Sequence, residues 1–277
     1  MQSQRRAEPA QAAGPLRRAG RRRRPGEASE RGGFTLQSRH PLSVDHIRSA
    51  AYHARAARAL EREEIALPGQ ADYVGHRATV IAAVLCATSF VESAVNEMFE
   101  DAIDNEFALR ERGLTPEGIA AIGRTATGLG DARIPALQKY QLALAVCEEE
   151  PFESDAAEFA EVRSVFWLRN RLVHYSPEWD VIMSPDEIKP LEYERRFKGK
   201  FPESPFAQQA RLEREELRLS GKEVPFFPTR CLSHGCAAWA VRSVLGFSDT
   251  FHERLGITPR YEPDRAWLNP TDAPVVG

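Results

Sequence analysis

The chain has 277 residues, 42% apolar and 28% charged, with a formal net charge of -3, a composition that fits a protein with a real core. Its longest apolar run, Thr79 to Val91, stops at Glu92 short of a bilayer's width, and the first forty residues hold no apolar block of the kind a secretory signal needs. Four scattered cysteines (Cys86, Cys147, Cys231, Cys236) are too few for a disulfide scaffold, so the expectation is a cytoplasmic protein with reduced thiols and no membrane partner.

Residues 1–40 carry ten arginines and three acids, whereas the remaining 237 residues carry 27 basic and 37 acidic side chains. A basic arm on an acidic body excludes a protein that coats nucleic acid with its whole surface. The arm lacks apolar periodicity and reads as disordered. Its run Arg21 to Arg24 suits a phosphate-binding arm or a targeting signal. The bland alternative is a start site assigned too early in a GC-rich genome, since arginine outnumbers lysine 32 to 5.

Order begins near Ser43, read as an N-cap. Val44, Ile47, Ala51 and Ala54 repeat at helical spacing until Pro68-Gly69. The strongest periodicity follows, from about Tyr73 to Asn105, where Val80, Val84, Ala87, Val91, Val95, Met98 and Ala102 form one stripe. Thr115-Pro116 starts a short helix. Gly128-Leu-Gly130 lacks the lysine of a P-loop and reads as a loop. Ala136, Tyr140, Ala143, Leu144 and Cys147 mark a further helix, and Asp155 is the expected cap of one over about Ala156 to Tyr175.

Residues 176–235 are Pro-rich and irregular, with helical pieces near Leu191–Phe197 and Phe206–Leu217. A last helix spans about Gly235 to Leu255, started by Ser233, and the tail beyond Pro259 reads as extended. The expected class is all-α, a bundle of about five long helices with an irregular insertion before the last one. Its expected layout is a tail over 1–40 and a helical domain over 41–277, with 176–235 as an elaboration.

The chemistry concentrates on the segment Phe159 to Tyr175. At about 100° per residue, Phe159, Val162, Phe166 and Val173 share one sector, and Arg169 falls inside it. An arginine on an apolar stripe needs a partner to offset its desolvation. Glu92 and Asn96, four apart on the strongest helix, either supply that partner or form a solvated edge. Asn170 and His174 share the neighbouring face. Arginine to hold phosphate charge and histidine to move a proton near neutral pH suit a phosphodiester. The bland alternative is an Arg169 paired with a buried acid and a His174 that caps its own helix.

Arg169-Asn170-Arg171-Leu172-Val173-His174 resembles the signature of the HEPN superfamily, which is an arginine, a polar residue directly after it, and a histidine after four to six intervening residues. The segment Ser89 to Glu97 resembles the family helix that packs beside the motif. The resemblance covers roughly residues 43–255. It implies a helical ribonuclease of the kind found in prokaryotic toxins and defence proteins, needing neither metal nor cofactor and pairing as a two-fold dimer across one cleft.

In that scheme the catalytic residues are Arg169, Asn170 and His174. His174 moves protons at the ribose 2′-hydroxyl and the leaving oxygen, Arg169 stabilises the phosphorane, and Asn170 orients the phosphate. Glu92, Asn96 and Tyr175 are supporting residues. The implied partners are an RNA substrate, a second copy of the chain, and an antitoxin or another defence protein. Family toxins paired with a nucleotidyltransferase antitoxin carry a tyrosine two residues after the histidine. Here Tyr175 follows His174 directly, so it reads as a packing or substrate-contact residue.

The other reading from this resemblance is a catalytically inactive module that binds RNA, nucleotide or protein. A general helical scaffold, with the motif a coincidence, is the third. Cys231-Leu-Ser-His234-Gly-Cys236 invites a zinc site, but its ligands lie too close together and a fourth is missing, so these residues read as packing. His46 and His53 read as surface residues.

Overall fold

Alanine and valine recur at helical spacing along two long segments, and in the computed structural model those two segments pair. Helix α1 (Ser43–Ala66) buries Ile47, Ala50, Ala51, Ala54 and Ala57 against α2 (Tyr73–Asp104), which buries Val80, Ala83, Val84, Ala87, Val91 and Val95. Small side chains on both faces let the backbones approach closely, and this pairing is the most extensive in the fold. The cap of α1 differs from expectation. Leu42 precedes the helix, and Ser43 is its first residue, donating from its backbone N and its Oγ to the two carboxylate oxygens of Glu97 at 2.9 and 2.6 Å. A carboxylate from α2 thus takes one orphan backbone donor at the start of α1, together with the Ser43 hydroxyl.

The described residues are 40–130, 132–175, 192–207, 224 and 226–272, and from His40 onward they belong to one compact unit. Among them all regular structure is helical and no strand occurs. The arginine-rich arm, apart from His40, and most of the Phe206–Leu217 piece lie outside the described residues.

After α2 come α3 (Glu106–Glu111), α4 (Pro116–Leu129), α5 (Ala136–Val146), α6 (Ala157–Val173), α7 (Glu192–Phe197) and α8 (His234–Arg254). Helix α4 is longer than the sequence suggested, at 14 residues. Thr115 accepts from Gly118 N at its start, Ile119 and Ile122 bury against the bundle, and Gly128-Leu129 forms its last turn rather than a loop. A Cβ on Gly123 would stand 2.6 Å from the carbonyl oxygen of Ala102, so the α2–α4 crossing requires a glycine there. Six helices of eleven or more residues are therefore described, rather than about five.

Helix α2 lies at the centre, touching α1, α3, α4, α5, α6 and α8. The apolar run counted to Glu92 understates it. As a 32-residue helix it is long and apolar enough, by length and composition, to cross a membrane, and 44% of its most apolar window is buried inside the bundle.

The segment after α8 is not extended. It turns back and buries Tyr261 and Leu268, and its carbonyls at Trp267 and Asn269 accept from Arg55 Nη1 at 2.6 and 3.2 Å. Arg55 is 2% exposed, and its guanidinium lies 4.0 Å over the Trp267 ring, so a buried cation on α1 takes its Nη1 acceptors and its ring contact from the C-terminal segment, while its buried Nε has no hydrogen-bond partner among the described residues.

Candidate functional site

Helix α6 holds the motif, and its buried residues are Val162, Val165 and Leu168. Its core face is therefore rotated from the sector read in the sequence: Phe159 and Phe166 are half-buried and Val173 is exposed. Arg169 stands at the border of the core face, with its side chain 31% exposed. Asp155 does not cap this helix, for Ala156 occupies the cap position without a side-chain bond. The helix stops at Val173, two residues earlier than expected, and His174 becomes its C-cap, donating its backbone N–H to Asn170 O at 2.9 Å.

The structure brings three of the expected site residues together around one guanidinium. Arg169 Nη1 donates to Asn170 Oδ1 at 2.9 Å, and Arg169 Nη2 stands 3.9 Å from Glu92 Oε1. The Glu92 side chain is 41% exposed, so this is a loose surface pair, worth about 0–1 kcal/mol, that orients the arginine without burying it. With its Oδ1 occupied by Arg169, Asn170 keeps its amide hydrogens as donors. Asn170 and His174 are both exposed at the helix end.

Two expected supporters sit elsewhere. Asn96 is not beside Arg169; its Oδ1 accepts from Lys139 Nζ at 2.8 Å, which turns it toward α5. Tyr175 is 50% exposed, with its ring centroid 6.1 Å from that of Phe227. Ser233 and Cys236 behave as read: Ser233 caps α8 by accepting from Cys236 N at 3.1 Å, and both cysteines of the rejected zinc site are buried.

Sequence reading missed a buried polar centre where α1, α2 and α8 meet. Glu61, 3% exposed, accepts from His76 Nε2 at 2.8 Å, from His234 N at 2.7 Å, and from His234 Nδ1. Burial pushes the Glu61 carboxyl up, but the bonds from His234, His76 and the backbone outweigh it, and the net shift is downward. The only sequence signal was an acid at a helical position otherwise suited to the core. His53, read as a surface residue, is half-buried, and burial lowers its pKa.

A second polar cluster lies between the start of α1 and the C-terminal segment. Ser43, Glu97, Arg112, His252 and Arg260 line a cleft enclosing about 10 Å³, room for a water-sized guest and no substrate. Burial, then the neighbouring Arg260, brings Arg112 down to about 10, and burial brings His252 down to about 4. Among the described residues no group of three or more His, Cys, Asp and Glu side chains is placed to hold a metal ion. Comparison with protein-family models, with curated proteins and with solved structures returned no match.

Proposed function

We propose that this chain is a metal-independent endoribonuclease of HEPN type, acting in the cytoplasm as a homodimer in a defence or toxin–antitoxin setting. The observation that carries the reading is the helix end of α6, where a half-exposed arginine is oriented by Asn170 and Glu92 and an exposed histidine follows at the C-cap. A guanidinium held by one bond to a neighbouring amide and by a loose surface pair is available to a phosphate, where a bidentate contact outweighs the pair it replaces. In the reaction His174 takes the 2′-hydroxyl proton or delivers one to the leaving oxygen. Arg169 stabilises charge on the phosphorane, and the Asn170 amide donates to a phosphate oxygen. The 2′-oxygen forms a bond to phosphorus as the 5′-oxygen leaves, and the product is a 2′,3′-cyclic phosphate.

Arg169 and His174 occupy different sides of the helix end, and a second copy meeting this surface would supply the opposing wall of a cleft. The exposed Val173 beside the motif suits such a contact. The same exposure favours the alternative of an inactive module that uses this face for binding alone. Purified protein incubated with single-stranded RNA in EDTA separates the two. Cleavage with cyclic-phosphate ends, and none of DNA, supports the enzyme. Binding without cleavage supports the module.

A further inference from the structure

Beside the motif, on the other side of the helix end, aromatic rings form a graded ladder. Tyr193 is buried, Phe227 is half-buried and stacks on it with centroids 3.9 Å apart and planes 12° apart, and the exposed Tyr175 ring leans on Phe227. The inner rung is anchored in turn by Trp167, whose ring meets Tyr193 edge-on at 5.1 Å. Tyr175 is thus an exposed ring supported from below, attached through consecutive backbone to the C-cap His174.

The ladder carries charge at its base. Arg171 and Arg196 lie over the Trp167 ring at 5.2 and 4.7 Å, and both guanidiniums share one carboxylate, Glu192, at 3.5 and 3.0 Å. Among the described residues of this cluster, two cations thus share one anion next to the rings. On the helix wheel Arg171 lies about 160° from Arg169, so the two arginines flank the helix end that carries His174 and Tyr175. A helix with its side chains is about 10–12 Å wide, a span that a few nucleotides cover.

We infer that Tyr175, supported by Phe227 and Tyr193, is a base-stacking subsite for single-stranded RNA beside His174, with Arg171 and Arg196 holding an adjacent phosphate. The choice of RNA rests on the ribonuclease reading above. An unstacked base offers an aromatic face that a supported tyrosine matches, and arginine beside it neutralises the backbone. A strand crossing the helix end would run from Arg169 past His174 to Arg171.

The test uses the full chain and a ten-residue 2′-O-methyl oligoadenylate, which has no free 2′-hydroxyl and cannot be cleaved by 2′-attack. Binding is read by fluorescence anisotropy. Tyr175→Leu should weaken it about tenfold, as loss of one base–aromatic stack does, whereas Tyr175→Phe should bind as wild type. Arg171→Gln with Arg196→Gln should weaken binding and flatten its salt dependence. Binding by wild type that Tyr175→Leu leaves unchanged overturns the inference even where RNA is still cleaved, and so does a Tyr175→Leu chain that loses only its dimer by sedimentation. A wild-type chain that binds the oligomer through Tyr175 but cleaves no RNA upholds the subsite and removes the ribonuclease reading. Absence of binding by wild type overturns the subsite.

Discussion

Replacing Glu61 is the sharpest test of how the bundle is held. In Glu61→Ala the His76 imidazole, 1% exposed, loses its acceptor, and the backbone N–H at the start of α8 loses another. Each buried donor left unpaired costs about 1–3 kcal/mol, and removing one member of a buried charged cluster costs about 3–5 kcal/mol in total. His234 is 26% exposed and can recover water, so the loss should lie near 4 kcal/mol rather than above it. Glu61→Gln keeps the shape but sets an amide N–H against a donor, and should cost about 2–3 kcal/mol.

Urea unfolding at neutral pH measures both. The sign with pH follows from the Glu61 shift. Its folded pKa is depressed below the ordinary 4.5, so its contribution is complete above that value and is lost as pH falls through the folded pKa. The stability gap between wild type and Glu61→Gln should therefore be largest near neutrality and close below pH 4.5. A loss under about 1 kcal/mol in Glu61→Ala, or a gap unchanged between neutral pH and pH ~3, would refute the argument.

His174→Ala and Arg169→Ala should each lower RNA cleavage by about a hundredfold or more without lowering the unfolding midpoint, since both side chains are at least partly exposed. Chelator-sensitive cleavage, or full activity in His174→Ala, would remove the mechanism. Gly123→Ala should destabilise by about 1–3 kcal/mol, because its Cβ meets backbone that has no room to yield; unfolding without a shift would show that the α2–α4 crossing gives way. Arg55→Met should release the Trp267 ring, seen as a red shift in tryptophan emission, and a spectrum like wild type would show that the tail is held by Tyr261 and Leu268 alone.

The helices were legible because their signals are local. The stripe from Val80 to Met98, the Thr115-Pro116 start and the Ser233 cap depend on neighbours within a few positions, and all three stand in the structure. What was not legible depended on other segments. Ser43 looked like a cap because Glu97 was out of view, and the α6 face was misjudged because Val165 and Leu168, rather than Phe166 and Val173, point at α2 and α8. Glu92 was one of two candidates that the need of an arginine for a partner brought up, with a solvated edge as the other reading, and nothing near Asn96 announced Lys139. The Glu61 centre needed three helices at once, which spacing along one of them cannot convey.

The Arg55 contact also bears on how the chain is made. Its acceptors lie 212 and 214 residues downstream, so α1 leaves the ribosome with a cation destined for burial and no oxygen to receive it. At about 5–20 residues per second, those carbonyls follow some 10–40 seconds later. Through that interval the Ala50–Ala57 face can close on α2, but the side of α1 that carries Arg55 must stay in water. Ordering of that side is therefore a late event of synthesis, and a nascent chain paused before Trp267 should expose α1 to proteases that the finished protein resists.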